Sequence, residues 1–453
     1  MADFNPVTIA SQLATAYVQS SQDQITASKA AAQRKTTGLS TLKSALSAFD
    51  AAIAGLSSTT GNVGMRKFSA TLTEGGTATA SSRATAGTYS FLVEQLAAAH
   101  QIVFEDLPAL PVALGGPLNV QLSDGTTFSV DMVAADSDAD GSISQAEIAR
   151  AINSAENNQG KVTASVVTTG GQTQLLLSSG ATGVGGAITL DTSALPPSGL
   201  RDALNAGREL VAARDAVVWL GGAGGVRIQQ ASNTLTAIEG VSVTFTAASA
   251  SPVTLTVAAD ASGTTENVKQ FVDAFNTLKS ALDSLTKASI DGSQAGVFAS
   301  DPGIRALRSK LNSLIRGEFG GLSLAEIGIK ASRDGALSID SARLEKALEA
   351  NPTALDDLFG RASLSQRTGL LGAIDEYLDA WTKSGSGLIA SRQTSVQSIQ
   401  KRLTERQTRL DAQYENVYQR YLKQFTQLQA LQSQMGQTFG LFSTIGTPGT
   451  AGA

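Results

Sequence analysis

The stretch from Asp136 to Glu147 has the residue types and the spacing of a calcium-binding loop. Aspartates occupy every second position at its start, a glycine follows the third aspartate, and a glutamate closes the pattern. In EF-hand loops, oxygen ligands at these positions and a glycine at the sharp bend form a cage suited to Ca²⁺. The pattern predicts a structural calcium site with the following ligands: Asp136, Asp138, Asp140, Ser142 and Glu147.

The same residues also have an explanation without a metal. The segment before the loop, FSVDMVAA, alternates like a strand, so the helix that enters an EF-hand is missing. Ser144 and Glu147 have the spacing of a capping box, which stabilises the start of a helix. The alternative to a metal site is therefore an acidic loop that precedes a capped helix. In both cases the loop has a structural role, and the chain requires no cofactor.

Residues for covalent or metal-based catalysis are scarce. The chain contains no cysteine, and His100 is its only histidine, so Ser-His, Cys-His and histidine-based metal sites all lack parts. The glycine-rich run 221–225 does not match a phosphate-binding loop and does not open a helix. No pair of carboxylates stands out. We therefore predict a protein that is not an enzyme, in which His100 is structural.

The acidic loop lies within a predicted small α+β unit. A hairpin with its turn at Asp124-Gly125 precedes the loop, and a second hairpin turning at Gly170-Gly171 follows the helix after Ser144. Proline- and glycine-containing segments, LPALPVALGGPL and LPPSGLRDAL, bound the unit on both sides. These breaks predict an inner α+β domain over 106–204.

Strand patterns occur on both sides of this inner domain. Tyr89, Phe91 and Val93 alternate before it, and strand-like segments resume after it at AVVWL, VRIQQ, VSVTFT and PVTLTV. They predict a β-rich plate domain made of two parts, 67–105 and 205–261. A helical pattern then covers 262–387 and contains a small hairpin.

Both ends of the chain carry narrow apolar stripes. Their gaps alternate between three and four residues, which is the repeat of a coiled-coil seam. We expect the ends, 1–66 and 388–453, to pair as a protruding coil; the alternative is two independent helices on a globular core. The predicted seam residues are Leu39, Leu42, Leu46, Phe49, Ile53, Leu56, Leu403, Leu410, Tyr414, Val417, Tyr421, Leu428, Leu431 and Met435.

These patterns predict an α+β multidomain fold, with paired terminal helices in a coiled-coil or helical bundle and nested β-rich domains inserted between them. The net charge is −5 over 453 residues, so the chain lacks the basic composition that is typical of nucleic-acid-binding proteins. No apolar run is long enough to span a membrane. The N-terminus lacks the features of a cleaved secretory signal. These features predict either a cytosolic protein or one that is exported without a cleaved signal.

Several stretches, in their order, resemble the flagellar hook-associated protein 2 family, the filament cap proteins. With the two terminal helices, the resemblance covers most of the chain. Phe275 stands where the family usually has Tyr, and an SGLD-like signature near the N-terminus is absent. The similar stretches are GTYSFLVEQLA (87–97), SNTLTAIEGVSVTF (232–245), VTLTVAAD (253–260), FVDAFNTL (271–278) and IGIKASRDGALSIDSARLEKALEANPTALDDLF (327–359).

The resemblance implies a secreted, extracellular protein that forms a ring-shaped homo-oligomer at the flagellum tip. It would promote flagellin folding and polymerisation and prevent the loss of unpolymerised flagellin. The implied partners are further copies of the chain, flagellin, hook-filament junction proteins and an export chaperone. The terminal helices would be legs and the β domains a plate. The alternative is a secreted, calcium-stabilised adhesin or surface-binding protein, which need not form rings.

Overall fold

A computed structural model describes residues 5–56, 64–289, 294–361 and 368–445. The chain divides into two compact units, one of Met1–Ser57 with Val268–Ala453 and one of Ser58–Asn267. Residues 446–453, the end of the predicted C-terminal coil, lie outside the described residues.

Helices alternate with strands along the described part of the chain. The helices are α1 (Pro6–Leu56), α2 (Gln145–Ser154), α3 (Gly199–Asn205), α4 (Ala261–Thr286), α5 (Pro302–Ile315), α6 (Ser341–Ala350), α7 (Ala354–Phe359), α8 (Gly369–Thr382) and α9 (Leu388–Ile445). The strands are β1 (Phe68–Leu72), β2 (Gly76–Ala80), β3 (Gly87–Gln95), β4 (Ala99–Phe104), β5 (Leu110–Pro111), β6 (Pro117–Leu122), β7 (Thr127–Asp131), β8 (Ser142–Ile143), β9 (Val162–Thr169), β10 (Gln172–Thr182), β11 (Ile188–Asp191), β12 (Arg208–Val211), β13 (Ala216–Leu220), β14 (Val226–Gln230), β15 (Thr234–Leu235), β16 (Val241–Phe245), β17 (Val253–Ala259), β18 (Glu318–Phe319), β19 (Leu322–Ser323), β20 (Ile329–Ala331) and β21 (Leu337–Ile339).

The long helices α1 and α9 run antiparallel to each other. Side-chain hydrogen bonds join Thr36 to Gln400 at 3.2 Å and Gln22 to Gln407 at 2.7 Å. Residue numbers therefore rise along one helix as they fall along the other. Buried residues recur every seven positions in both helices, as a coiled-coil seam requires. They are Val18, Ile25, Ala32, Leu39, Leu46 and Ile53 in α1, and Ile389, Val396, Leu403, Leu410 and Val417 in α9.

The second half of α1 enters a compact helical body. Phe49 lies with its ring centroid 6.3 Å from that of Phe271 in α4, and Phe271 meets Phe359 of α7 edge-on at 5.0 Å. All three rings are buried, because α1 has apolar residues on this face at every third or fourth position. This aromatic cluster anchors one end of the long helix in the core.

Strands from both sides of the inner domain share one antiparallel sheet. This sheet has the strand order β1-β17-β3-β13-β14. The same unit contains a three-stranded sheet with the order β15-β16-β2. Phe91 of β3 and Phe245 of β16 pack edge-on at 5.6 Å between their ring centroids. The paired terminal helices and the inserted β domains confirm the predicted fold class.

The inner domain contains two larger sheets, β12-β4-β10-β9 and β11-β6-β7, and the two-stranded sheet β5-β8. Its hairpins turn at Asp124-Gly125 and Gly170-Gly171, as predicted. β4 and β12 lie outside the limits of 106 and 204 predicted for this domain, yet β4 pairs with both β10 and β12. Those limits were wrong because the backbone ladder continues past the proline-containing breaks. The rest of the six-part division stays a prediction.

His100 joins the two larger sheets of the inner domain. Its Nδ1 accepts a hydrogen bond from the backbone N–H of Ile188 in β11 at 2.9 Å. Its Nε2 lies 3.1 Å from Glu209 Oε1 of β12. The ring is 6% exposed, so it fills the core while satisfying a buried N–H group. This packing is the structural role predicted for the only histidine of the chain.

Candidate functional site

The acidic loop connects a 3₁₀ turn, Val133–Ala135, to the short strand β8 and to α2. Its backbone turns through two residues with positive φ, Ala139 at 60° and Gly141 at 82°. The φ of Gly141 explains the glycine of the pattern, because residues with a side chain adopt this conformation rarely. The strand β7, and not a helix, precedes the turn.

Some carboxylates of the loop converge on one point. Oxygens of Asp136, Asp138 and Glu147 lie within 4.8 Å of one another. Asp140 is not part of this group, and its Oδ1 accepts instead from the backbone N–H of Ser142 at 2.7 Å. The structure thus brings together three of the five predicted ligands. Asp140 and Ser142 lie beside them in the same loop.

Asp136 has one oxygen in use and one without a partner. Its Oδ2 accepts from the backbone N–H of Gly141 at 3.0 Å. Its Oδ1 is buried and has no hydrogen-bond partner in the part of the chain that the structure describes. A buried carboxylate oxygen normally has a hydrogen-bond donor or a cation. Between Asp136 and Glu147, this atom and Gln145 Oε1 are the buried side-chain acceptors that lack a hydrogen-bond partner among the described residues, and the Asp136 oxygen is the carboxylate one.

Glu147 is held by the start of α2. One of its oxygens accepts from the backbone N–H of Ser137 at 2.7 Å, and the other accepts from the N–H of Ser144 at 2.8 Å. Ser144 Oγ in turn caps the Glu147 N–H, which completes the predicted capping box. The backbone N–H of Ser144, followed by that of Ser137, lowers the pKa of Glu147 to about 2. The side chain is 3% exposed and carries a negative charge at neutral pH.

The donor set of the loop is suited to Ca²⁺, which prefers carboxylate and other oxygen ligands. The unsatisfied Asp136 oxygen fits a cation in the loop. The capping box at Ser144 and the backbone N–H of Ser137, however, already supply donors to both oxygens of Glu147 without a metal. Calcium binding therefore stays a prediction.

The predicted seam residues have different surroundings in the two helices. The six in α1, from Leu39 to Leu56, are at most 1% exposed. In α9, Leu403, Leu410 and Val417 are buried, while Tyr414 and Tyr421 are half-buried. Three residues are exposed, contrary to a buried seam: Leu428 at 40%, Leu431 at 53% and Met435 at 53%.

The antiparallel register explains these exposed residues. Tyr414 contacts Ser11, close to the start of α1 at Pro6, so later residues of α9 extend past that start. The register also shows that Leu46 does not face Leu410, which packs instead with Val18 and Ile25. Val18 was missed in the sequence, although counting back from Leu39 in steps of seven reaches it.

The end of α9 forms an apolar overhang, which we define as residues 424–445. Lys423 is the last charged residue of the chain. The overhang is therefore an uncharged helix, and it presents large apolar side chains to solvent. Those exposed by at least 40% are Leu428, Leu431, Met435, Phe439 and Leu441. In soluble proteins, exposed apolar side chains concentrated in this way often occur where another molecule binds.

No helix in the described ranges is long and apolar enough to cross a membrane. Two family models match the chain. "Flagellar hook-associated protein 2 N-terminus" matches residues 3–100, and "Flagellar hook-associated protein 2 C-terminus" matches residues 213–437. The acidic loop lies between the two matched segments.

Similar proteins cover most of the chain. The lateral flagellar hook-associated protein 2 of Vibrio parahaemolyticus is 36% identical over 375 residues, covering 81% of this chain and 83% of the relative. The B-type flagellar hook-associated protein 2 of Pseudomonas aeruginosa is 29% identical over 429 residues, covering 88% of this chain and 86% of the relative. Neither relative supports the alternative function as an adhesin.

A solved structure also resembles the chain. The D1-D2-D3 domains of the flagellar cap protein FliD from Escherichia coli match with a TM-score of 0.62 and 26% identity. The match covers 80% of this chain and 99% of that one. These similarities support a location at the flagellum tip. The chain therefore belongs to the flagellar hook-associated protein 2 family, a family of structural flagellar cap proteins and not of enzymes.

Proposed function

We propose that this chain forms an oligomeric ring at the distal end of the flagellar filament. There it promotes the folding and polymerisation of flagellin and prevents the loss of unpolymerised subunits. Its partners are further copies of itself, flagellin, the hook-filament junction proteins and an export chaperone, and it acts outside the cell. Membership of the cap family supports this proposal.

The observation that carries the proposal is the apolar overhang. Leu428, Leu431 and Met435 follow one another at three- and four-residue spacing, so they lie on one face of α9. A helix with one apolar face requires a partner. The helix α1 starts at Pro6, and Ser11 already lies beside Tyr414, so α1 does not reach the part of α9 that carries this face. A helical surface of flagellin at the filament end is the partner we propose.

The composition of the overhang suits a contact that must be remade as each subunit is added. Its face away from the apolar residues is polar and contains Thr426 and Ser433. With no charges, it forms no ion pairs that would fix one partner in place. Contacts through a few apolar side chains are weak enough to release. Replaceable docking is what a cap on a growing filament needs.

The proposal is tested in a strain that lacks this chain. We expect an intact hook and intact export, flagellin released unpolymerised into the medium, and no swimming. Restoring the full chain restores swimming, whereas a chain ending at Lys423 does not, although its β unit still folds. A deletion strain that builds normal filaments and swims would refute the proposal.

Single substitutions in the overhang separate docking from folding. Leu431→Asp places a charge on the apolar face, and Ser433→Asp places the same charge on the opposite face of the same exposed helix. We expect Leu431→Asp to reduce swimming and to release flagellin, and Ser433→Asp to behave like the unaltered chain. Equal effects of the two substitutions would show that the apolar face is not the docking surface.

We also propose that the acidic loop holds one structural Ca²⁺. The converging oxygens of Asp136, Asp138 and Glu147 support this proposal, and so does the unsatisfied oxygen of Asp136. Asp140 and Ser142 are the remaining proposed ligands. The ion would stabilise the inner domain by neutralising these carboxylates and would take no part in a reaction.

Calorimetry of the full chain with Ca²⁺ tests the metal. We expect saturable binding that Asp136→Asn abolishes. Asp131→Asn is the matched control, because Asp131 precedes the loop and caps its 3₁₀ turn by accepting from Val133 N–H at 2.9 Å. If millimolar Ca²⁺ gives no heat and a chelator leaves the melting temperature unchanged, the loop is an acidic loop with a capped helix only.

A further inference from the structure

The strand β9 is the edge of its sheet and pairs only with β10. The turn at Gly170-Gly171 determines which of its backbone groups face β10. Thr169, beside the turn, points its groups toward β10, and the direction alternates along an antiparallel strand. The N–H and C=O groups of Val162, Ala164, Val166 and Thr168 therefore point away from the sheet.

The first half of this outward edge is already covered by asparagine side chains. Asn158 accepts from the N–H of Val162 at 2.9 Å and donates to its carbonyl oxygen at 2.8 Å. Asn153 of α2 accepts from the N–H of Ala164 at 2.8 Å and donates to its carbonyl oxygen at 2.7 Å. Each side-chain amide thus takes the place of a neighbouring strand at one position.

The second half of the edge has no such cover. Among the described residues, no side chain or backbone group bonds the outward groups of Val166 or Thr168. The side chains of Val166 and Val167 are 37% and 39% exposed. An edge with free backbone groups can pair with another strand, and proteins usually block such pairing with charges.

Charge does not protect this edge. No charged residue occurs from Val162 to Thr182, whereas β12, at the other edge of the same sheet, carries Arg208 and Glu209. A strand that pairs with its own copy must carry no charge that would face itself. The open half of β9 meets this condition with the β-branched residues that favour strands.

We propose that the open half of β9, Val166 to Thr168, pairs antiparallel with the same segment of a second copy. In this arrangement Val166 lies opposite Thr168 of the second copy, and their outward N–H and C=O groups bond each other. Val167 lies on the two-fold axis, opposite itself. The Asn153 cap ends the pairing on one side and the glycine turn ends it on the other.

This contact is distinct from a ring. A two-fold contact closes after two copies, whereas a ring needs two different surfaces on each copy. The contact does not rest on the proposed cap function, because it follows from the backbone of β9 alone. It would link chains in pairs in addition to any ring that they form.

Disulfide formation tests the pairing in the full chain. The protein contains no cysteine, so Val167→Cys introduces its only thiol. Residues opposite each other at such a position have Cα atoms about 4.5 Å apart, a distance that a disulfide spans. We expect mild oxidation to give a disulfide-linked dimer. Thr163→Cys, exposed on the same face of β9 but away from the axis, should stay monomeric.

A second substitution removes the pairing but retains the fold. Val166→Pro, added to Val167→Cys, deletes an N–H that points away from β10, so the ladder between β9 and β10 stays intact. We expect an unchanged circular dichroism spectrum and loss of the dimer. If the proline variant unfolds, Thr168→Lys replaces it, because the added charge disfavours pairing and leaves every backbone group in place.

Two results would overturn the proposal. One is that Val167→Cys yields no more dimer than Thr163→Cys over the same oxidation. The other is that the folded Val166→Pro or Thr168→Lys variant forms as much dimer as Val167→Cys alone. Either result would mean that the thiols meet by collision and that the edge is not paired.

Discussion

The hydroxyl oxygens of Ser11 and Tyr414 lie 3.3 Å apart, although 403 positions separate the two residues in the chain. This contact is close to the start of α1 at Pro6, and the last buried seam residue of α9, Val417, follows soon after it. From residue 424, α9 continues as the apolar overhang. The same helix therefore has one part that packs against α1 and one part that exposes large apolar side chains.

Leu410 and Leu431 should respond differently to truncation. Leu410 is 7% exposed and packs with Val18 and Ile25, so we expect Leu410→Ala to lower the free energy of unfolding by about 2–4 kcal/mol. Leu431 is 53% exposed, and Leu431→Ala should change it by less than about 0.5 kcal/mol. Denaturation followed by circular dichroism measures both; equal losses would contradict the described register.

Phe271 should be among the most sensitive positions of the helical body. Its ring contacts those of Phe49 and Phe359, and it is fully buried. We expect Phe271→Ala to destabilise this unit by about 3–5 kcal/mol, since it leaves a cavity in a packed core. Phe439→Ala, at a position 72% exposed, is the control and should leave the melting temperature unchanged.

Asn158 should be essential to the inner domain because its amide is 1% exposed and fully bonded. Its Nδ2 donates to the carbonyl oxygens of Ile152 and Val162, and its Oδ1 accepts from the Val162 N–H. We expect Asn158→Ala to cost about 1–3 kcal/mol for each buried group left unsatisfied. Asn158→Asp should also destabilise, because a carboxylate cannot donate to the two carbonyls. Urea denaturation measures both, and stabilities equal to that of the unaltered chain would exclude this role.

Glu147 should make the stability of the inner domain depend on pH in the acidic range. Hydrogen bonds lower its pKa from 4.5 to about 2 in the folded chain. Its contribution is therefore complete above about pH 4.5, where it is ionised in both states, and is lost as pH falls through 2. Glu147→Gln keeps an acceptor for the cap but does not ionise, so its stability should vary less over this range.

Melting curves from pH 5 to pH 2 measure this acid effect, with protein that has been freed of Ca²⁺ by a chelator at neutral pH and dialysed into metal-free buffer. With no Ca²⁺ present, only the proton equilibrium is compared. Glu318→Gln, at an exposed glutamate in a different unit, is the control and should follow the unaltered chain. Parallel curves for Glu147→Gln and the unaltered chain would mean that the capping box does not hold the carboxylate.

Local patterns in the sequence predicted the elements that depend on neighbouring residues. The predictions of hairpin turns at Asp124-Gly125 and Gly170-Gly171 were correct because only a few residue pairs suit such tight turns. The capping box at Ser144 and Glu147 was correct because its hydrogen bonds close within one helical turn. The resemblance to the cap protein family likewise came from short stretches in a particular order.

Relationships between distant residues could not be obtained in this way. The domain limit at 105 was wrong because the place of β4 depends on its pairing with β10, whose Leu175 lies opposite Phe104. Strand pairing is non-local, and a proline-containing break on one side does not reveal it. The open edge at Val166 was also hidden, because the alternating pattern does not show which groups a distant asparagine covers.

The sequence by itself determined that both terminal helices have apolar stripes and therefore need partners, because the heptad spacing places those residues on one face. It did not determine which residues meet. The tertiary structure decided that α1 and α9 run antiparallel in a register that joins Gln22 to Gln407. That register leaves Leu431 exposed, since a stripe has the same spacing whether or not another helix lies opposite it.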